Sequence, residues 1–447
     1  MNPSTPQDIT GSNAREIAAS AEAAIRDGVL DTGAPLPTVR ALAQRLGTSP
    51  ATVSSAYRTL RMRGLVVAEG RRGTRVAARP AVRAQAPPTA AAAPSGLRDL
   101  TIGFADPELL PPLGPALSYV ARQPPSPIEL LELGHDELLT FARSWFEADG
   151  VPTDALAVTA GALDGLERVL SAHLRTGDRV LIEDPAYPPI RDILLALGLV
   201  ATPVAIDQRG PLPDALERAL AANPAAIVLV PRAQNPTGAA LDADRAAAIR
   251  GLLARHPDLL VVEDDHVSLV AGAPFHSTIE PQRNRWAIVR SVSKLLHPDL
   301  RLALLAGDEV TVARVQGRLV LGPRWVSHVL QATASRLLND PGFAARCAHA
   351  SATYTARRRA LIDALARHAI PAVGSAGLNV WVPVREEAAV VRGLSDAGWL
   401  VLAGERFRIA ATPGVRITTA TLRDGEADQI APVLAEIVHS GRPRERY

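Results

Sequence analysis

A chain of 447 residues, 47% hydrophobic and 21% charged, is too long for one compact core and has an ordinary globular balance, which excludes a disordered or fibrous protein. The net charge of +2 hides an asymmetry: residues 1–98 carry 13 arginines against 6 acids, while the remainder is acidic overall. A basic end on a mildly acidic body points to a nucleic-acid contact confined to that end. The single cysteine, Cys347, excludes an internal disulfide and a cysteine-cluster metal site and fits a reducing, cytoplasmic setting. The start "MNPSTPQDIT" has no apolar signal core, and no apolar run reaches the roughly 18 residues of a membrane span.

The first elements are short. "REIAASAEAAIRDGVL" places Ile17, Ala18, Ala21, Ile25 and Leu30 at helical spacing. "TVRALAQRLG" predicts a helix ended by Gly47, and "TSPATVSSAYRTLRMRG" predicts another, capped by Thr48 or Ser49 and ended by Gly64. "LVVAEGRRGTRVAA" reads as two strands around the turn "EGRRG". Three helices and a β-wing make a winged helix-turn-helix. From Leu36 to Val66 the chain resembles the GntR family of bacterial transcription regulators, with the likeness extending over residues 12–78. The resemblance implies that Arg40 and the helix from Ser49 to Leu60 face double-stranded DNA, with Ser49, Thr52, Ser54 and Tyr57 near the groove. It also implies that Arg71 and Arg72 on the wing meet phosphate or the minor groove. Pro50 and Ser54 stand where relatives often carry arginine, and an ion pair inside the module is the competing use of Arg40.

Residues 79–99 are Ala/Pro-rich and read as a spacer between a module at 10–78 and a body at 100–447. In the body, "RVLIEDPAY", "AAIVLVPRAQNPTG", "LLVVEDDH" and "WAIVRSVSK" each run an apolar strand into a polar cluster, with helical stretches between. That alternation predicts an α/β fold with a largely parallel sheet, whose ligands sit outside the carboxyl ends of the strands. The expected division is a large part at about 145–335 and a smaller α+β part at about 336–447 joined by 100–144.

The four clusters bring Tyr187, Asn235, Asp264, Lys294 and Arg301 to one edge, with "TAGALDGL" opening a helix at Gly161. Lys294 is the only lysine among 48 basic residues. A desolvated amine joins an aldehyde, a carboxylate keeps a pyridine nitrogen protonated, and arginine, hydroxyls and a helix start hold a phosphate. Together these describe a pyridoxal-phosphate site. Taken singly, "NPTG" is a common turn, Tyr187 a half-buried core aromatic, "EDD" a solvated strand end or a set of metal ligands, and Arg301 and Arg416 ion-pair partners.

The body resembles fold-type I aminotransferases through "NPTG" at Asn235–Gly238, "SVSK" at Ser291–Lys294 and "GVRITTA" at Gly414–Ala420. This implies that Lys294 carries pyridoxal phosphate as an internal aldimine, with Asp264 on the ring nitrogen, Asn235 on the ring oxygen and Tyr187 on the ring face. Gly161, Ala162, Ser291, Ser293 and Arg301 then take the phosphate, and Arg416 an α-carboxylate. His266 stands where many relatives have a tyrosine, Arg232 replaces a small or polar residue, and the tyrosine usually found before "GHDELL" has no counterpart. The whole layout is similar to MocR-type regulators. It implies a homodimeric transcription factor that senses an amino compound, or pyridoxal phosphate itself. A working aminotransferase with an accessory DNA module is the alternative.

Overall fold

In the computed structural model, residues 9–26, 29–62, 64–68, 73–77, 96–124 and 132–440 are described. The N-terminal unit and the body that follows it in the chain are each described by themselves. Among these residues no helix is long and apolar enough to cross a membrane.

The N-terminal unit holds α1 (Ala14–Arg26), α2 (Val39–Leu46) and α3 (Pro50–Met62), then the antiparallel strands β1 (Val66–Ala68) and β2 (Thr74–Val76). Local chemistry sets each boundary. The Thr38 hydroxyl accepts from Ala41 N at the start of α2, and Gly47, at φ 62°, ends it in the left-handed conformation. Ser49 Oγ accepts from Thr52 N at 3.0 Å to open α3, with Pro50 in the first turn, where its missing N–H costs nothing. Ile17, Ala21 and Ile25 of α1 are buried against Leu42 of α2 and Val53, Ala56 and Leu60 of α3. This is the expected winged helix-turn-helix. Arg71, Arg72 and most of the 79–99 spacer lie outside the described residues.

In chain order the body contains β3 (Arg98–Asp99), α4 (Gly114–Val120), α5 (Asp136–Ala148), β4 (Ala155–Thr159), α6 (Ala162–His173), β5 (Arg179–Asp184) and α7 (Pro188–Ala196). Next come β6 (Val200–Asp207), β7 (Gly210–Pro211), α8 (Pro213–Leu220), β8 (Ala226–Leu229), α9 (Ala243–Ala254), β9 (Leu260–Asp265), β10 (Trp286–Ser291) and β11 (Ala303–Gly307). The remainder is α10 (Glu309–Leu321), α11 (His328–Leu338), α12 (Phe343–Arg367), β12 (Asn379–Pro383), α13 (Glu387–Asp396), β13 (Trp399–Leu400), β14 (Leu402–Ala403), β15 (Gly414–Thr418) and α14 (Glu426–Ser440).

Eight strands form one sheet in the order β4-β11-β10-β9-β8-β5-β6-β7. Its centre, β10-β9-β8-β5, is parallel, while β11 is antiparallel to both β10 and β4. The parallel strands are the four apolar runs of the sequence, and they are buried from end to end or nearly so, as strands covered by helices on both faces must be. A second sheet, β12-β15-β14, packs with α12, α13 and α14 around its own core of Val380, Val382, Ile417, Leu361 and Leu434.

The division between the two parts differs from the expected one. The stripe Leu138, Ala142, Trp145 and Phe146 on α5, together with Ala116 on α4, is buried in the large core, so most of 100–144 belongs there. Only the stretch around Leu100 joins the smaller core, where β3 pairs with β13. The long helix α12 serves both, with Cys347, Ala350 and Tyr354 in one core and Leu361, Ala364 and Leu365 in the other.

Candidate functional site

Because β5, β8, β9 and β10 run parallel, the polar clusters after them meet at one edge. Tyr187, Asn235, Asp264, His266, Ser291, Ser293, Lys294 and Arg301 line a single cavity, with Gly161 and Ala162 at the start of α6. Every body residue expected in the site faces it except Arg416.

Lys294 follows β10 in a turn. Burial, with the cations of Arg301 and Arg416 nearby, pulls its amine down to about 8 against the opposing pull of Asp264. Its Nζ lies 5.5 Å from the centre of the Phe104 ring. Asp264, next to last in β9, is 3% exposed, and burial followed by the charge of Asp265 pushes its carboxyl up to about 7. Its Oδ1 is buried with no hydrogen-bond partner. His266 Nδ1 sits 3.9 Å from Asp264 Oδ2, also without a hydrogen bond, and burial followed by the Lys294 charge depresses the imidazole to about 4.

Gly161 has φ 98°, and a Cβ there would lie 3.2 Å from Arg301 Nη2. The glycine therefore lets an arginine fork approach the first N–H groups of α6, an arrangement suited to a phosphate. The Ser291 hydroxyl donates to Ser293 Oγ at 2.9 Å on the neighbouring wall.

Arg416 on β15 is 4% exposed and stands behind the cavity wall. Its Nη1 donates to Asn235 Oδ1 at 3.1 Å, its Nη2 donates to the Thr101 carbonyl, and its Nε has no partner. Burial lowers its pKa to about 10.

Behind Asp264, the carboxylate of Asp265 accepts from Arg232 Nε and Nη2, both at 2.8 Å, from Arg290 Nε at 2.9 Å and from Ser268 N at 3.2 Å. Burial alone would raise Asp265, but the two arginines hold it near 2. Arg290 lies over the rings of Trp145, Phe146 and Phe275 and donates to Asp149 Oδ2 at 2.6 Å. Arg232 is thus a structural ion-pair partner. Sequence reasoning missed this triad and also missed Gly103, Phe104, Leu378 and Asn379 on the cavity wall. The only signal for Asn379 was a lone amide inside the apolar run "GLNVWV".

In the N-terminal unit Arg40, Ser49 and Ser54 are exposed and Thr52 is half-buried. Tyr57 is corrected. It is 2% exposed, it belongs to the stripe Val53, Ala56, Tyr57, Leu60, and its hydroxyl donates to the Pro37 carbonyl at 2.8 Å. Arg58, one position on, is exposed on the same side as Ser54 and Ser55.

Residues 13–76 match the family described as bacterial regulatory proteins, gntR family, and residues 133–434 match aminotransferase class I and II. The chain is a GntR-type regulator fused to an aminotransferase-like body, of the MocR type. It is 38% identical over 432 residues to the vitamin B6 salvage pathway transcriptional repressor PtsJ of Salmonella typhimurium, covering 95% of this chain and 98% of that one. It is 28% identical over 406 residues to the transcriptional regulator TauR of Rhodobacter capsulatus, covering 79% and 80%. Among solved structures, the α-aminoadipate aminotransferase LysN of Thermus thermophilus superposes with a TM-score of 0.70 at 23% identity, covering 80% of this chain and 95% of that one, a likeness of fold. The body's cofactor is pyridoxal phosphate. The residues present fit it: an orphaned buried carboxyl oxygen on Asp264, the arginine-and-glycine cradle at Gly161, and one partly desolvated amine.

Proposed function

We propose that this chain represses transcription from an operator it binds as a homodimer in the cytoplasm, and that pyridoxal phosphate held at Lys294 is its signal. The observation that carries this reading is the solitary lysine, with its amine lowered to about 8, set opposite the unpartnered carboxyl of Asp264. The likeness to a vitamin B6 salvage repressor supports the choice of signal.

When bound, pyridoxal phosphate supplies an aldehyde and an electron-withdrawing ring. Lys294 would hold it covalently, because burial keeps an appreciable neutral fraction of its amine. Asp264 would hold a proton at the ring nitrogen, which gives its bare Oδ1 a partner. Asn235, with its Oδ1 already taken by Arg416, has its amide hydrogens left for the ring oxygen, beside His266. Tyr187 would cover the ring, while Gly161, Ala162, Ser291, Ser293 and Arg301 would bind the phosphate. Occupancy moves the regulator between conformers only as far as pyridoxal phosphate binds one of them better. In the DNA module, Arg40, Ser49, Thr52, Ser54 and the exposed Arg58 would meet the duplex, with one module per half-site.

The test is operator binding by the wild type and Lys294→Ala, each with and without pyridoxal phosphate. The reading requires a response in the wild type and none in the variant; equal DNA affinity in all four samples sinks it. Arg416, bonded to Asn235, favours a second reading in which an amino compound enters the same site as effector or as aminotransferase substrate. Appearance of a keto acid over many cycles separates turnover from sensing.

A further inference from the structure

A second cavity of the body, of about 280 Å3, opens between α4 and the corner where α11 turns into α12. One wall is apolar, made by Pro111 and Pro112 before α4, Pro115 and Ala116 within it, and Leu337 on α11. The other wall is basic. Arg122 follows α4, Arg336 lies on α11 and Arg346 on α12, and Asp340 is the one acid that lines the space with them.

Two of these guanidinium groups are set in place by the protein. Arg336 lies over the Tyr119 ring, 4.9 Å from its centre, an attraction to the ring face that uses none of its N–H groups. Arg346 donates from Nη2 to Asp340 Oδ1 at 2.9 Å, and the same oxygen accepts from Gly342 N at 2.8 Å. A Cβ at Gly342 would lie 2.7 Å from Arg346 Nη1, so glycine there lets the arginine fold back over the aspartate. Among the described residues Arg122 and Arg336 form no ion pair, and Asp340 is already held by Arg346. The lining therefore presents an excess of positive charge with most of its donors unspent, and the preset arginines lower the entropy that binding costs.

The donors select the ligand. One carboxylate is satisfied by one arginine fork, whereas three converging guanidinium groups match the three terminal oxygens and near-double charge of a phosphate. The volume is at the small end for ligand pockets, and an apolar wall with a few polar groups is how such pockets hold an organic body. We propose that this cavity is a ligand site separate from the cofactor's, for a small phosphate monoester whose organic part lies on the proline wall while Arg122, Arg336 and Arg346 hold its phosphate. The inference goes beyond the sensing reading and stands or falls independently of whether operator binding responds to pyridoxal phosphate.

The test uses the full-length protein with pyridoxal phosphate fixed by borohydride on Lys294, its only lysine, and then dialysed, so that the phosphate cradle at Gly161 is already filled. Phenyl phosphate and inorganic phosphate are titrated in by isothermal calorimetry. Phenyl phosphate should bind one to one, and more tightly than inorganic phosphate. Arg122→Gln and Arg336→Gln, both at exposed positions, should each weaken it by about tenfold, as for one hydrogen bond to a charged group, with cofactor uptake unchanged. Arg318→Gln, exposed on α10 and outside the cavity, should leave binding as it is. Absence of saturable binding overturns the proposal, as does binding that survives both cavity substitutions. An equal loss in Arg318→Gln also overturns it, because the attraction is then one of general charge. Inorganic phosphate bound as tightly as phenyl phosphate overturns the assignment to a monoester.

Discussion

Arg416 and Asn235, 181 residues apart, share a hydrogen bond of 3.1 Å that ties the smaller sheet to the turn after β8. A guanidinium that is buried and spent on protein acceptors orients its neighbour as much as it recognises a ligand. Arg416→Met should therefore free the Asn235 amide to rotate and weaken pyridoxal-phosphate binding by about tenfold, the worth of one charge-assisted bond. Equilibrium dialysis of the cofactor against wild type and variant measures this.

Lys294 gives a pH dependence. With its amine at about 8, roughly one molecule in ten is neutral at pH 7, against about one in three thousand at the unperturbed value. The rate of pyridoxal-phosphate uptake by apo-protein should rise with pH and level off above about 8. Stopped-flow absorbance across pH 6 to 9.5 provides the profile. A continued rise toward pH 10 would mean the amine is solvated.

Asp264 acts on stability. Its carboxyl is raised from 3.8 to about 7 in the fold, so between those limits the folded apo-protein holds a proton that the unfolded chain has lost. That contribution is present below about pH 4 and is lost as pH rises through 7. The apo wild type should lose more thermal stability between pH 5 and 8 than Asp264→Asn does. Burial, the first cause of the raised carboxyls of Glu183 and Glu263, acts in both proteins, and the variant removes only the last and smallest cause at Glu183, the charge of Asp264.

Behind the site, Asp265 is the shared anion of Arg232 and Arg290. Asp265→Ala takes the salt-bridge partner from buried Arg232 and leaves Arg290 with Asp149 alone, and should cost about 3–5 kcal/mol in urea denaturation.

In the DNA module, Arg40→Ala should weaken operator binding and reduce its salt dependence by about one counterion, measured by fluorescence anisotropy at several salt concentrations. Tyr57→Phe should leave DNA affinity intact and cost about 1 kcal/mol of stability through the lost bond to Pro37.

Much of the site was legible because its residues follow apolar strands. Parallel strands bring their carboxyl ends to one edge, so "EDPAY", "NPTG", "EDDH" and "SVSK" converge without knowledge of the strand order. Tyr57 was misplaced because a family pattern was read as a surface. The helical repeat of Val53, Ala56, Tyr57 and Leu60 already marked it as core. The Arg232–Asp265–Arg290 triad left no local trace, since tertiary ion pairs join positions that no sequence period links. The same holds for α5, whose apolar stripe says that it packs but not against which core.

The most direct test is borohydride reduction of the natively isolated protein, followed by peptide mass spectrometry. The account predicts one phosphopyridoxyl adduct, on Lys294. A protein fully supplied with the vitamin in which Lys294 stays unmodified would contradict it.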